Sequence, residues 1–148
     1  MLIRDVMTES VVTTKPNSSV RDVAELMRER NVGSVMLVAG DAPVDVVTDR
    51  DLTVSVLADD RGASDRAEDH ASAPVVTATA GMDVREAAEL MISHGIRRLP
   101  VLDGERLTGI VTLDDLAVRT GDAELVHSLT SQITRAALPD FYFHQRGG

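Results

Sequence analysis

Cysteine is absent from the 148 residues of this chain. Without it the protein can form no disulfide framework, no thiolate metal site, no iron–sulfur cluster and no cysteine nucleophile. Long apolar runs are absent too: the longest, residues 35–39, is far short of the roughly 20 residues that a membrane helix needs. The first residues lack the apolar core of a signal peptide. We therefore expect a cytoplasmic protein with no membrane partner.

Basic residues are scarce. Lys15 is the only lysine, and 24 acidic residues against 15 lysines and arginines leave a net charge of −9. Binding to a phosphate backbone needs basic residues clustered on one face, whereas these arginines are scattered, so nucleic acid is not an expected partner. Aspartate outnumbers glutamate by 16 to 8, and such a surface tolerates concentrated salt because screening relieves its self-repulsion. The composition fits a halophilic cytoplasm; it also fits a GC-rich genome that replaces lysine by arginine.

Aromatic residues are few, and all of them lie together at positions 141–143 as Phe-Tyr-Phe. The stretch before them predicts a helix that Asp122 caps, that ends before Pro139, and that has an apolar stripe on one face. The stripe consists of Leu125, Val126, Leu129, Ile133 and Ala137. A body without aromatic residues, followed by three in a row, indicates that the tail docks onto its own body or onto a second subunit.

The chain repeats itself. A shift of 64 residues aligns residues 5–54, called copy one, with residues 69–118, called copy two, and 16 of the 50 aligned pairs are identical. Most other pairs keep their polarity. The repeat predicts two domains with an exposed polar linker between the copies and a separate tail. The predicted bounds are residues 1–60 and 61–120 for the domains, 59–68 for the linker and 121–148 for the tail.

Each copy predicts the same order of elements, β-α-β-β-α. A short β-rich run, residues 11–14 or 75–78, leads to a polar turn. The next helix is capped by Ser18 or Ser19 in copy one, and by Asp83, with Glu86 three residues on, in copy two. It has an apolar stripe with helical spacing. The stripe consists of Val20, Val23, Ala24 and Met27 in copy one and of Val84, Ala87, Ala88 and Met91 in copy two.

A β-hairpin and a second helix complete each copy. The hairpins turn at Gly40 and Gly104, and the second helices begin near Asp49 and Asp114. The apolar stripe of each first helix must face the sheet, so the predicted fold class is α/β (α+β). The hairpin strands are residues 35–38 and 44–47 in copy one and residues 99–102 and 107–111 in copy two.

Several of these segments resemble the cystathionine-β-synthase (CBS) domain, of which a tandem pair is called a Bateman module. The resemblance rests on Val-Val-Thr-x-x-Asp and Ile-Val-Thr-x-x-Asp, which end at Asp51 and Asp115, and on His-Gly-Ile-Arg-Arg-Leu-Pro-Val at residues 94–101. It covers about residues 1–120. It implies pseudo-two-fold symmetry and two clefts, drawn from strands of both copies, that bind AMP, ADP, ATP or S-adenosylmethionine. It also implies a regulatory module that does not catalyse and that pairs into a flat homodimer.

The repeated threonine and aspartate can carry the chemistry. An aspartate just past a strand, at the opening of a helix, can accept hydrogen bonds from the cis-diol of a ribose. A threonine three residues earlier can meet a phosphate beside the free amides of the helix start. We therefore predict ligand binding by Thr48 and Asp51, and by Thr112 and Asp115. The alternative is that these residues only cap the second helix of each copy.

The remaining ligand contacts are predicted to come from a basic pair and four aliphatic residues. Arg97 and Arg98 form a local anion site that would favour nucleotides over adenosine. In the cleft that they serve, Asp51 would hold the ribose and Thr48 the α-phosphate. Because the body has no aromatic residue, aliphatic side chains must sandwich the adenine. The candidate walls are Val12, Val46, Val76 and Ile110.

The two clefts are not expected to be equivalent. Copy one has Gly-Ser at residues 33–34 where copy two has the arginine pair, so only copy two supplies guanidinium groups. Asp45 stands where copy two has Gly109, which adds charge to the first cleft. Copy two begins with Asp-His-Ala-Ser at residues 69–72, in place of the Asp-Val-Met-Thr of residues 5–8.

No motif supports an enzyme. There is no Gly-rich phosphate loop and no Gly-x-Ser-x-Gly elbow, and the four histidines lie too far apart in sequence to predict a zinc site. Acidic pairs such as residues 114–115 are interpreted as solvated surface, not as Mg²⁺ sites. Two functions remain: an adenine-nucleotide sensor, with a role in energy sensing, that signals to an unknown regulated protein, or a ligand-free dimerisation and interaction module that acts through its tail.

Overall fold

The computed structural model describes residues 1–71 and 76–137. Its elements follow the predicted β-α-β-β-α order twice, and a further helix comes after them. Copy one contains β1 (Thr13–Thr14), α1 (Val20–Arg30), β2 (Ser34–Ala39), β3 (Ala42–Thr48) and α2 (Asp49–Asp51), which continues as a π-helical segment, Leu52–Leu57. Copy two contains β4 (Ala78–Thr79), α3 (Val84–His94), β5 (Arg98–Asp103), β6 (Arg106–Thr112) and α4 (Leu113–Arg119). The final helix, α5, is Ala123–Ala137.

Each copy builds a three-stranded sheet, in the order β1-β2-β3 or β4-β5-β6. In copy one, β1 runs parallel to β2 and β3 runs antiparallel to it, with Ser34 opposite Thr48. Gly40 and Gly104 take positive φ angles of 63° and 62° at the hairpin turns, which glycine adopts without strain. The predicted strand over residues 11–14 is shorter than expected, because only Thr13 and Thr14 pair with β2.

The compact units of the chain cross the boundary that the repeat suggests. Among the described residues, the copy-one unit consists of residues 9–71 and 76–77 with Leu102–Gly109, and the copy-two unit of Met1–Thr8, Ala78–Val101 and residues 110–137. The first eight residues thus belong with copy two, and the turn Ala67–His70 belongs with copy one. We call residues 1–8 and Ala67–His70 the exchanged segments, because each lies in the unit of the other copy.

The same hydrogen bonds hold the exchanged segments in both units. The Ile3 amide donates to the Met82 carbonyl at 2.9 Å, and the Ala67 amide donates to the Ser18 carbonyl at 2.8 Å. These are matching positions of the repeat, 64 residues apart. The prediction that residues 59–68 form an exposed linker is wrong at its end: Ala67 is fully buried in the copy-one core, because its small side chain fits beside Val23 and Leu37.

The first helix of each copy faces its core as predicted, with one exception. Ser19 caps α1 by accepting from the Asp22 amide at 3.1 Å, and Asp83 caps α3 by accepting from the Arg85 amide at 2.9 Å. The predicted stripe residues of α3 are all buried, but Ala24 of α1 is exposed. The stripe of α1 is therefore narrower than its sequence predicted.

The tail helix α5 packs against α3 and α4 in the copy-two unit. Asp122 caps it as expected, since its carboxylate accepts from the Leu125 amide at 2.9 Å. Leu125, Leu129 and Ile133 are buried, and Val126 is half-buried. The predicted roles of the Ala137 side chain and of the aromatic residues 141–143 fall outside the described residues.

Candidate ligand-binding site

The end of β3 and the start of α2 hold the first threonine and aspartate in a reciprocal pair of hydrogen bonds. Thr48 Oγ1 accepts from the Asp51 amide at 3.1 Å, and Asp51 Oδ2 accepts from the Thr48 amide at 2.9 Å. This arrangement is a capping box, and it arises because a threonine at the last extended position precedes an acid by three residues. Both side chains are half-buried. The carboxylate therefore has a fixed orientation at the edge of the sheet.

Copy two repeats this geometry at the end of β6. Thr112 Oγ1 accepts from the Asp115 amide at 3.1 Å, and Asp115 Oδ2 accepts from the Thr112 amide at 2.9 Å. Arg119, whose counterpart in copy one is Ser55, adds a contact to this site, because its Nε lies 3.7 Å from Asp115 Oδ1. Both aspartates thus cap a helix, as the alternative interpretation of the sequence states. Capping engages Oδ2 and fixes the direction of the carboxylate.

The arginine pair lies at the start of β5, next to the end of β6. The Leu113 amide donates to the Arg97 carbonyl at 2.8 Å, which brings the backbone of the pair beside the Thr112 cap. Arg98 Nη1 is buried, and it has no hydrogen-bond partner within the described residues. A buried guanidinium nitrogen without an acceptor is costly, and an anion would supply the missing acceptor.

The matching place in copy one has no basic side chain. The Asp49 amide donates to the Gly33 carbonyl at 3.0 Å, the same bond as in copy two. A Cβ atom at Gly33 would lie 3.3 Å from Asp49 Oδ2, so the carboxylate of Asp49 stands close to this backbone. The two copies therefore differ in local charge at this place. Copy one has the acidic side chain of Asp49 beside Gly33, whereas copy two has the basic pair at residues 97–98.

The candidate adenine walls are half-buried aliphatic side chains. Val12 packs against the copy-one core, and Val46 lies opposite Met36 in the β2–β3 ladder. Ile110 exchanges two backbone hydrogen bonds of 2.9 Å with Thr8 in the copy-two unit. Half-burial leaves part of each side chain available to an apolar ligand face. Val12, Val46 and Val76 belong to the copy-one unit and Ile110 to the copy-two unit.

The candidate residues are divided between the units. Asp51 and Thr48 lie in the copy-one unit, whereas Asp115 lies with the arginine pair in the copy-two unit. Sequence reasoning missed the Arg119 contact, although an aspartate and an arginine four residues apart on a helix are a known pairing signal. It also missed His70, which is buried and bonded to two side chains. The repeat contains a signal for His70: this polar residue aligns with the apolar Val6, and a polar residue at an apolar position of the repeat indicates a specific role.

Residues 1–71 and 76–137 contain no group of three or more histidine or acidic side chains placed to hold a metal ion. In the same residues, no helix combines the length and the apolar character that crossing a membrane requires.

Comparison with known proteins identifies the family. A family model of the CBS domain matches residues 3–58 and again residues 67–119. The chain belongs to the CBS domain family. The CBS domain-containing protein YhcV of Bacillus subtilis is 34% identical over 132 residues, which are 89% of this chain and 94% of YhcV.

Solved structures of CBS proteins share the fold. The CBS domain pair of protein MJ0100, in complex with 5′-methylthioadenosine and S-adenosyl-L-methionine, matches with a TM-score of 0.71 at 25% identity. The match covers 79% of this chain and 93% of that one. The CBS domain protein PAE2072 from Pyrobaculum aerophilum, complexed with AMP, matches with a TM-score of 0.75 at 24% identity over 88% of this chain and 99% of that one. The fold predicted from the two copies, a tandem CBS pair with a C-terminal helix, is confirmed.

Proposed function

We propose that this protein is a regulatory module that binds an adenosine-containing ligand, namely AMP, ADP, ATP or S-adenosylmethionine. The observation that carries the proposal is the buried Arg98 Nη1, which has no hydrogen-bond partner among residues 1–71 and 76–137 and lies in the same unit as the oriented carboxylate of Asp115. An anion-binding group and a diol-binding group together fit a nucleotide. Support comes from the MJ0100 domain pair, whose structure holds S-adenosyl-L-methionine and 5′-methylthioadenosine.

In this proposal each aspartate binds the ribose. A carboxylate fixed by its helix cap needs little reordering when the 2′- and 3′-hydroxyls donate to it, so most of the interaction energy is retained. Hydrogen bonds to a charged group contribute roughly 1.5–3 kcal/mol each. Thr48 and Thr112, at the starts of α2 and α4, lie where a phosphate could meet amides at the helix start.

The arginine pair selects for phosphate. Arg97 and Arg98 would neutralise a phosphate and make AMP, ADP and ATP better ligands than uncharged adenosine. Val12, Val46, Val76 and Ile110 would cover the adenine faces. Since copy one lacks a basic pair at the matching place, the two aspartates should serve sites of unequal affinity or different ligand charge.

Calorimetric titration with AMP, ATP, adenosine and S-adenosylmethionine tests the proposal. Asp51→Asn and Asp115→Asn keep a side-chain oxygen that can cap the helix but remove the charge, and each should weaken AMP binding at one site by about 10-fold or more. Arg98→Met should weaken AMP binding but not adenosine binding. Arg21→Met, which removes an exposed arginine from α1, is the matched control and should change neither.

A double-mutant cycle determines which aspartate shares a ligand with the arginine pair. If Arg98 and Asp115 contact one ligand, the losses from Arg98→Met and Asp115→Asn will not be additive. Coupling to Asp51→Asn instead would support the pairing that the sequence predicted. Wild-type protein that binds none of the four compounds, and contains no co-purified nucleotide by mass spectrometry after denaturation, would refute the proposal.

A second candidate function is dimerisation and interaction with another protein. Val54 and Val118 occupy the same position of the two copies and are 53% and 81% exposed, and Leu57 is 77% exposed. Exposed aliphatic residues at matching positions of α4 and of the π-helical segment after α2 favour an interface between two copies of the chain. We propose a homodimer, and sedimentation of Val54→Asp with Val118→Asp should show the monomer mass of 15.9 kDa. A wild-type monomer at micromolar concentration would contradict it.

We also propose that the protein works in the cytoplasm of a salt-adapted cell. A net charge of −9 produces self-repulsion, and the Debye length falls from about 30 Å at 0.01 M salt to about 3 Å at 1 M. The melting temperature should therefore rise between about 0.05 and 2 M KCl. A melting temperature that stays constant or falls over this range of KCl would contradict the salt-adapted setting. It would not count against the proposed ligand binding.

A further inference from the structure

Each copy ties its second helix to the exchanged segment of its unit. In the copy-one unit, Ser55 Oγ lies 2.6 Å from His70 Nδ1. In the copy-two unit, Arg119 Nη1 donates to the carbonyls of Val6 and Met7 at 3.0 and 3.1 Å. Ser55 and Arg119 are the same position of the repeat, four residues after the aspartate. We call these two links the tethers: different side chains make the same connection in both copies.

The copy-one tether is part of a partly buried polar network. The His70 side chain is 3% exposed, and its Nε2 lies 2.9 Å from Asp65 Oδ2. A carboxylate only accepts, so Nε2 carries a proton and donates to Asp65. The Arg61 Nε lies 3.8 Å from the same oxygen of Asp65. The fold does not require a polar residue here, because the matching Val6 is just as well buried.

The helix that this network holds is unusual. After Asp51 the chain continues as a π-helix, Leu52–Leu57, whereas α4 remains α-helical as far as Arg119. A π-helix is rare, and it is frequent at functional sites. The capping box holds Asp51 from the amino-terminal side, and Thr53 Oγ1 donates to the Asp49 carbonyl at 2.9 Å. Leu52 and Val56 of this segment pack into the fold, and Ser55 adds a side-chain hydrogen bond to His70.

We propose that the tethers are positioning devices, in which Ser55 with His70 holds Asp51, and Arg119 with the backbone of residues 6 and 7 holds Asp115, in the orientation that binds ribose. The inference rests on the proposed function. A helix fixed before the ligand arrives loses less conformational entropy on binding, so a tether raises affinity without touching the ligand. Each exchanged segment thereby sets the affinity of one site.

The first experiment separates the sites. AMP is titrated by calorimetry into Asp115→Asn protein, where only the Asp51 site is intact, and into Asp51→Asn protein, where only the Asp115 site is intact. His70→Val should weaken AMP binding about 3- to 10-fold in the first background and less than about twofold in the second. Arg119→Met should do the reverse. Valine is chosen because it occupies the matching position in the other unit, so the fold accepts it.

A rescue pair distinguishes positioning from general stability. Asparagine places an amide near the position of His70 Nδ1 and can keep the bond to Ser55, whereas glutamine reaches the position of Nε2 and can keep only the bond to Asp65. His70→Asn should therefore restore AMP affinity at the Asp51 site, and His70→Gln should not. Equal affinity in both variants, or losses at both sites in His70→Val, would overturn the inference.

Hydrogen exchange gives a readout that needs no ligand. The amides of residues 52–58 should exchange faster in His70→Val and in Ser55→Ala, with no further increase in the double variant, while those of α4 stay unchanged. Unchanged exchange over residues 52–58 would overturn the tether whatever AMP does. Wild-type protein that binds none of the four compounds, and contains no co-purified nucleotide, would refute the proposed function and the affinity effect with it, while the exchange experiment would still decide whether the tether exists.

Discussion

The two copies differ most on the outer face of their first helices. In copy two, α5 packs on α3, Ala88 is 1% exposed, and Arg85 Nη2 lies 2.7 Å from Asp122 Oδ2. In copy one the matching Ala24 is exposed, and the matching Arg21 pairs with Glu25 on its own helix at 3.3 Å. Identical residues thus have a packing role in one copy and a solvent role in the other.

Two neighbouring substitutions explain the difference. Ile92 and Ser93 line the groove between α3 and α5, and their counterparts in copy one are Arg28 and Glu29. Covering an isoleucine with another helix lowers the free energy of the folded state, whereas covering two charged side chains raises it, because they lose their hydration. The residues that the two copies share therefore build the fold of each copy. A few residues that differ between the copies decide whether another helix can cover the outer face of the first helix.

The largest expected effect comes from removing the packing of α5. Leu129 is fully buried, so Leu129→Ala should cost about 2–5 kcal/mol of unfolding free energy, measured by urea denaturation. Native-state hydrogen exchange should rise over α3 and remain slow over α1. Thr130→Ala, at an exposed position of the same helix, is the control and should lie within about 0.5 kcal/mol of wild type. Equal exchange increases in α1 and α3 would break the comparison.

A matched pair of substitutions tests the covered and uncovered faces. Glutamine is a good helix former, so Ala→Gln changes packing more than helix propensity. Ala88→Gln should cost about 1–3 kcal/mol through overpacking beneath α5, whereas Ala24→Gln should stay within about 0.5 kcal/mol. Thermal unfolding of both variants measures the difference. Similar losses from the two would show that something covers α1 in solution.

The capping boxes are the place where the two copies should behave alike. Thr48 and Thr112 each accept from the aspartate amide at 3.1 Å. Thr48→Ala and Thr112→Ala should each cost about 0.5–2 kcal/mol. Denaturation midpoints check this, with Thr130→Ala, an exposed threonine within α5, as the control. Unequal losses would point to an effect beyond helix capping at one of the two sites.

The smallest effect separates the caps of α1 and α3. The hydrogen bond from the Arg85 amide lowers the pKa of Asp83 below its ordinary value of 3.8. The stability that the Asp83 carboxylate contributes is therefore present at pH values above the pKa of this group in the unfolded chain. It is lost as the pH falls through the lower pKa of the group in the folded protein. Ser19, the matching cap, does not titrate. Amide exchange in the first turn of α3, but not of α1, should rise at acid pH.

The control for this last prediction exchanges the caps. Asp83→Ser gives α3 the cap of α1 and should remove the acid sensitivity of its first turn. Acid-sensitive exchange that persists in this variant would assign the effect to another carboxylate.

Much of the fold was predictable because it depends on short-range patterns. The apolar spacing of Val84, Ala87 and Met91 requires a helix with one buried face, and glycine at residues 40 and 104 allows the positive φ of a hairpin turn. The threonine and aspartate of each cap are three residues apart, so their mutual hydrogen bonds also follow from local sequence. Local chemistry alone allowed two roles for this threonine and aspartate, ligand binding and helix capping. The expectation that they bind a ligand came from the family resemblance.

The sequence by itself thus determined the order of elements, the capping boxes of α2 and α4, and the excess of negative charge. Only the tertiary structure decided that residues 1–8 complete the copy-two unit and Ala67–His70 the copy-one unit, that Ala24 is exposed while Ala88 is covered, and that His70 meets Ser55 and Asp65. The reason is physical: helices, turns and caps form between residues a few positions apart, whereas burial and long-range pairing depend on which distant surface fills the space beside a residue.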